Sequence, residues 1–446
     1  MQLSKISLAL ATLAIGASAF AAPSGSRIAV SSGASATLGN LMTNSSPASA
    51  LRSLCASAGG VATLFGVGNF RTMVCANTVL TSGPAGTYVS KPNADFINFS
   101  GTSFAELRLN VDPGSFGAIL VLNTNTLTWI DPGTNANTAT LPSGAVIVGG
   151  LLDLAPNGFT LSTIGDNVVF PATPVGIAQT FGVGVSGALY TKMFNAQQAS
   201  GLIPAICAVT TGTPVCTPSI GKGQMATIMA AVPFNAAYSN GLSFLTGAAA
   251  DVGVELRYVR RVDTSGTQAA AQNYFLGLPC SQEVLSIVLE PVTAAVLPET
   301  LKNDVFTAIR VLAAPATGDV RAELNKTDLD GVVIGPVVPN YAIGVMSGEN
   351  NQTGSWKWIR VQGAAMGENA TPGTAGITNT ATQKNGTYDF YYESVFVGGS
   401  VAGNAFWTTV SGALNTIAAP VGLVNNATLT TGYTKSGLAC AASGSN

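Results

Sequence analysis

The stretch that most narrows the fold runs from Val254 to Leu276. Val254-Glu255-Leu256-Arg257-Tyr258-Val259-Arg260 reads as a strand. Gln268 to Leu276 reads as a helix, because Ala269, Gln272 and Phe275 with Leu276 fall at helical spacing, and alanine and glutamine favour that state. Between them, Arg261-Val262-Asp263-Thr264-Ser265-Gly266-Thr267 forms the helix's N-terminal turn. Ser265 or Thr264 can cap it, Gly266 lets the backbone come close, and Thr267 adds a second hydroxyl. A strand that turns straight into a helix is the repeating step of an α/β protein.

The same stretch has a chemistry. A helix start carries free N–H groups and partial positive charge, so it welcomes an anion. Arg261 adds a guanidinium able to grip an oxyanion with two parallel hydrogen bonds. The residues also fit a plain helix cap with a local Arg261–Asp263 ion pair, and a short motif alone does not separate the two readings.

Two further steps have the same form. Arg27 to Val30 reads as a strand, and Ser31-Ser32-Gly33-Ala34-Ser35-Ala36-Thr37-Leu38 turns into a helix near Leu41. Phe96 to Phe99 reads as a strand ending at Ser100-Gly101-Thr102-Ser103, with a helix following through Phe104 to Leu107. Apolar runs at Phe116–Leu122, Ala145–Val148 and Leu151–Leu154 suit strands more than long helices. Leu301 to Leu312 has one apolar face and reads as an amphipathic helix. Tyr341–Val345 and Trp356–Val361 read as strands, and Phe406–Ile417 as a closing helix.

Composition limits what such a scaffold can do. Histidine is absent from the 446 residues, which removes Ser-His-Asp and Cys-His catalysis, histidine metal sites and histidine proton shuttles. No paired acidic motif stands out, so the chain reads as a non-enzyme, with no cofactor. Net charge is −2, so no basic surface invites nucleic acid. Only 9% of residues are charged, against an ordinary ~25%. A surface of hydroxyls and amides favours self-association.

Met1 to about Ala21 reads as a secretory signal: Lys5, an apolar run from Ile6 to Ala17, and a small-x-small site at Ala19-Phe20-Ala21. The mature protein is then expected in the periplasm, secreted or at the cell surface. Six cysteines fit that compartment. Cys207 and Cys216 bracket a Thr-Gly-Thr-Pro turn, and Cys55 and Cys75 bracket a glycine-rich excursion; each pair is expected to bridge, which leaves Cys280 with Cys440.

Arg261, Asp263, Ser265, Gly266 and Thr267 resemble, at matching spacings, the signature of the phosphate-binding proteins that serve ABC transporters, within the type 2 periplasmic binding-protein superfamily. Gly33, Ala34, Ala36 and Thr37 resemble the family's opening turn, with Leu38 in place of a phenylalanine. The resemblance implies that Arg261 binds the oxyanion, Asp263 orients Arg261, and Ser265, Gly266 and Thr267 donate hydrogen bonds. Thr37 and the Leu38 N–H would touch the anion, with Ser100, Thr102 or Ser103 adding a hydroxyl. Ser186, after the strand Phe181–Val185, matches a family serine. Gly187 stands where the family has the aspartate that accepts the proton of hydrogen phosphate.

The implied fold is α/β, two lobes each with a mixed sheet flanked by helices, closing on the ligand in the cleft between them. The first lobe would comprise residues 22–232 and 353–446, with a disulfide-prone insertion at 51–95, and the second residues 233–352. Ala226–Pro233 resembles the strand leading into the first crossing, Asn385–Tyr392 the return segment, and Gly432-Tyr433 the family's terminal pair. The implied function is extracytoplasmic binding of phosphate or a similar oxyanion, with an ABC permease as partner. The alternative is a cell-surface or matrix structural protein that kept the fold and lost or weakened binding. The low charge, the insertion and Gly187 support it.

Overall fold

A computed structural model describes residues 27–33, 36–43, 49–83, 87–112, 114–123, 127–159, 172–230, 240–278, 308–327, 339–367, 380–398, 400–417, 422–425 and 428. The expected signal segment, Cys280, Cys440 and Gly432-Tyr433 lie outside them. The chain is α/β and divides into two compact units. One comprises Met1–Leu152, Phe170–Thr173 and Phe396–Ile417; the other comprises Asp153–Val169, Pro174–Val395 and Ala418–Asn446.

The first unit is built on β1 (Ile28–Gly33), followed by α1 (Ala36–Thr43) and α2 (Ala50–Ser57). Then come β2 (Val61–Phe65), β3 (Phe70–Ala76), β4 (Glu106–Asn110) and α3 (Gly117–Asn123). A small hairpin of β5 (Trp129–Asp131) and β6 (Ala136–Thr138) precedes β7 (Val146–Leu152). The sheet order is β7-β1-β4-β3-β2. The central strand β1 is parallel to both neighbours, and β3 and β2 add antiparallel strands at one edge. Ile28, Ala29 and Val30 are fully buried, as a strand inside a parallel sheet requires. The helix Val401–Leu414 buries Phe406, Trp407, Val410 and Leu414 at helical spacing, and its Trp407 indole donates to the Val148 carbonyl at 2.5 Å.

The second unit contains β8 (Ala172–Val185), α4 (Gly187–Ala199), β9 (Ser219–Ile220), α5 (Lys222–Met229), β10 (Leu256–Arg261) and α6 (Gly266–Ala271). These are followed by β11 (Ile309–Ala314), α7 (Thr317–Asn325), β12 (Ala342–Ser347), β13 (Lys357–Val361), β14 (Tyr391–Val397) and β15 (Leu423–Asn425). The order is β11-β10-β12-β8-β14, with β13 and β15 also pairing β8 and β9 pairing β13. β10 is parallel to β11 and β12, whereas β12 and β8 are antiparallel.

Several expectations are corrected. Phe104–Leu107 does not start a helix; it leads into β4, where Glu106, Arg108 and Asn110 alternate with two leucines at period two. Phe116–Leu122 enters α3 rather than a strand, and a short apolar run does not distinguish the two by periodicity. Ala226–Met229 closes α5 instead of forming a strand. Residues 309–312, expected to end an amphipathic helix, lie in β11. Residues 51–95 carry most of α2 and the strands β2 and β3, which extend the sheet at one edge. The Cys55–Cys75 bridge (Cα–Cα 5.6 Å) ties α2 to β3, and Cys207–Cys216 closes its turn as expected (Cα–Cα 5.4 Å). Among the described residues, no helix is long and apolar enough to cross a membrane.

Candidate functional site

In the second unit the chain passes from β10 to β11 on one side, then crosses to β12 on the other. Where parallel winding reverses like this, the loops beyond the carboxyl ends part and leave a crevice, the usual ligand position in open α/β sheets. The carboxyl end of β10 is Arg261, and the turn into α6 follows at once. The first unit repeats the pattern, with β1 central, β4 on one side and β7 on the other. Thr37 and Leu38 lie in α1, directly after β1. The two turns singled out in the sequence thus hold the same topological place, each in its own unit.

The turn after β10 is short of acceptors. Ser265, Thr267 and Gln268 are only 2–5% exposed, and Gly266 is buried. Ser265 occupies the N-cap without a side-chain cap bond. Its N–H donates to the Val262 carbonyl, and its carbonyl accepts from Ala269. The N–H groups of Gly266, Thr267 and Gln268 find no acceptor among the described residues, as expected of a first helical turn. Unlike most such groups, they belong to buried residues. The Gln268 side chain folds back so that its Oε1 accepts from the Arg261 N–H at 3.1 Å. Its Nε2 is buried without a partner. The result is a cluster of donors without an acceptor among the described residues, an arrangement that costs free energy until one arrives.

Arg261 is partly committed. Its Nε donates to the Ala314 carbonyl at 3.1 Å, Nη1 to the Thr317 hydroxyl at 2.7 Å and Nη2 to the Pro315 carbonyl at 2.9 Å. These bonds fasten the end of β10 to the end of β11 and leave one N–H on each terminal nitrogen. Burial pulls the guanidinium pKa down, opposed by the charges of Asp153, Asp319 and Glu349. Asp263 does not orient Arg261, as the resemblance implied, nor form a local pair with it; it pairs with Arg260. Successive strand residues face opposite ways, so Arg260 and Arg261 diverge and Asp263 follows the former, held also by Gln272 Nε2 at 3.3 Å.

Three expected ligands sit elsewhere. Ser186 is fully buried at the amino end of β12: its hydroxyl donates to the Asn340 carbonyl at 2.5 Å and accepts from the Ala342 and Leu189 N–H groups at 3.0 and 3.4 Å. Its bonding capacity is spent. β12 runs from Ala342 to Ser347, so the carboxyl edge lies roughly 16 Å away at about 3.3 Å per residue. Gly187 is required by its surroundings, since a Cβ there would stand 2.9 Å from the Ser355 carbonyl oxygen. In the first unit, Ser100 and Thr102 precede β4, at the amino end of the sheet rather than beside Gly33. The Thr102 hydroxyl closes its own turn onto Phe99 and Phe104.

Other residues occupy the vacated positions. Phe181 pairs with Ser347 across β8 and β12, which places Gln179 and Thr180 near the carboxyl edge. The Thr180 hydroxyl and the Gln179 Oε1 are buried without partners. Gln179 Nε2 donates to Glu349 at 2.9 Å, and the Ser347 hydroxyl donates to the other carboxylate oxygen at 2.8 Å. Burial raises the Glu349 pKa, against those hydrogen bonds and the charge of Arg261. Two adjacent polar residues inside the apolar run Val175–Val185 were the available signal. In the first unit, Ser115 lies in the turn from β4 into α3 and is fully buried; reading the next residues as a strand hid it.

No family model matches the chain. No curated protein matches it either. Among solved structures it is similar to a putative phosphate ABC transporter substrate-binding protein from Clostridium perfringens, with bound phosphate, at 10% identity and a TM-score of 0.38, over 86% of this chain and 92% of that one.

Proposed function

We propose that this protein binds a small oxyanion, phosphate first among them, beyond the carboxyl ends of β10 and β12, and does so without chemical conversion. The observation that carries the reading is the buried turn Gly266–Gln268, which follows Arg261 and whose backbone N–H groups and Gln268 amide find no acceptor among the described residues. An oxyanion supplies many strong acceptor sites at once, and a desolvated one needs each lost water bond replaced. The hydroxyls of Ser265 and Thr267, the two remaining Arg261 N–H groups and the Gln268 amide make such a set. Thr37 and the Leu38 N–H hold the corresponding place in the first unit. The two disulfides support an oxidising compartment outside the cytoplasm, where delivery to an ABC permease is the fitting role.

A second reading, a surface or matrix protein that kept the fold, draws on Arg261 being largely engaged by residues 314–317 and on Gly187 having no room for the family's aspartate. The two readings separate on heating. If phosphate binds, the melting temperature rises with its concentration, by the equivalent of about 2.7 kcal/mol at one hundred times Kd. An unchanged melting temperature at millimolar phosphate, with assembly that grows with protein concentration, supports the structural reading instead.

A further inference from the structure

A separate cleft of ≈ 40 Å³ opens on β13, on the side of β8 away from β12. Lys357, Trp358 and Arg360 line it with Tyr190 and Gln352, and the Cys207–Cys216 turn contributes Pro214. Among the described residues no aspartate or glutamate lines it. Arg360 gives its Nε to the Thr217 carbonyl at 2.7 Å and one Nη1 proton to the Gly363 carbonyl at 3.4 Å, which holds the guanidinium still and leaves its Nη2 edge free. Lys357 makes no ion pair among the described residues. Trp358 is only 7% exposed, and its indole N–H is buried with no acceptor. The far corner of its ring, Cζ3, lies against Gly182 of β8, so the N–H edge turns away from that strand.

A buried indole N–H ordinarily finds a partner, and leaving one unpaired is costly. Two cations and an orphan donor around one small space ask for an oxygen acceptor with negative charge. The size sets the class of ligand. At about 10–15 Å³ of such volume per water, the cleft takes roughly three waters, enough for a carboxylate or phosphate group and too little for a sugar or a base.

We propose that this cleft is a second anion site, which takes one carboxylate or phosphate group between Lys357 and Arg360, with hydrogen bonds from the Trp358 Nε1 and the Tyr190 hydroxyl. Trp358 is its own reporter. The test titrates sodium acetate and sodium phosphate, at constant ionic strength, into the full-length protein while tryptophan emission is followed, and into Lys357→Met, Lys357→Gln and Trp358→Phe. A saturable change with acetate alone assigns a carboxylate ligand, and with phosphate alone a phosphate. Either is expected to weaken about tenfold or more in both Lys357 variants, the equivalent of ~1.4 kcal/mol, and to vanish from the emission of Trp358→Phe. No saturable change with either anion up to tens of millimolar overturns the proposal. So does a response that persists in Trp358→Phe or is unaltered by loss of the Lys357 charge in a variant that still folds.

Discussion

Arg108→Met is expected to lower the unfolding free energy of the first unit by about 3–5 kcal/mol, the usual consequence of removing one partner from a buried ion pair. Glu106 and Arg108 are 0% and 2% exposed. They meet at 2.7 Å, and the Tyr88 hydroxyl donates to the second carboxylate oxygen at 2.5 Å. Burial lowers the Arg108 pKa, but Glu106 and then Tyr88 together more than reverse that and leave it raised. Burial first, and Glu106 second, push the Tyr88 hydroxyl well above its ordinary value. Without the Arg108 guanidinium, Glu106 stays in the core with the Tyr88 hydrogen bond and only the unbonded charge of Arg27 to oppose its own. Denaturant midpoints of the wild type and the variant at neutral pH measure the loss. The double variant Glu106→Gln/Arg108→Met should recover part of it, because no unpaired carboxylate is then left in the core. A double variant no more stable than Arg108→Met contradicts the assignment.

Gly150→Ala should cost about 3 kcal/mol or more, at the upper end of what overpacking does. Gly150 pairs with Ser32 where β7 lies beside β1, and a Cβ there would stand 1.8 Å from the Ser32 carbonyl oxygen and 2.7 Å from the Ala118 Cβ. Neither neighbour can withdraw, because one is backbone and the other sits on α3. The strands must separate at the carboxyl end, the same end from which the chain turns toward Thr37. Gly412→Ala is the matched control. It lies in the helix Val401–Leu414 with nothing within 4 Å of its would-be Cβ, so alanine should stabilise by about 0.5–1 kcal/mol. Thermal denaturation of the two variants should give shifts of opposite sign; equal shifts would show that the close approach at Gly150 is not real.

Local signals survived translation into structure wherever one residue period ruled one segment. β10 and its helix follow from Val254–Leu276, β13 from the alternation around Trp356–Val361, and both described disulfides from their short spacings. The α/β class follows from the same strand–turn–helix steps. Identity of elements failed where an apolar run carried no period, as at Phe116–Leu122, or where tertiary pairing decided, as at Ile309–Ala314. The candidate site was legible in one part only. The turn from Ser265 to Thr267 announces itself by its hydroxyls and glycine. What the other residues do depends on which end of a strand they occupy, and sequence spacing does not encode that. Ser186 reads as a ligand until β8 is seen to run antiparallel to β12, which carries Ser186 to the far edge and brings Gln179 and Thr180 to the near one. Asp263 reads as the partner of Arg261 until the pleat hands it to Arg260.

The central claim is a location, and a structure determined with arsenate in place of phosphate tests it most directly, since the arsenic atom can be placed by its anomalous scattering. The account predicts an anion whose oxygens lie within about 3.2 Å of the Gly266–Gln268 N–H groups and of a terminal nitrogen of Arg261, with Gln268 Nε2 satisfied. Arsenate bound at the amino end of β12 beside Ser186, or no anion near residue 266 at millimolar arsenate, contradicts it.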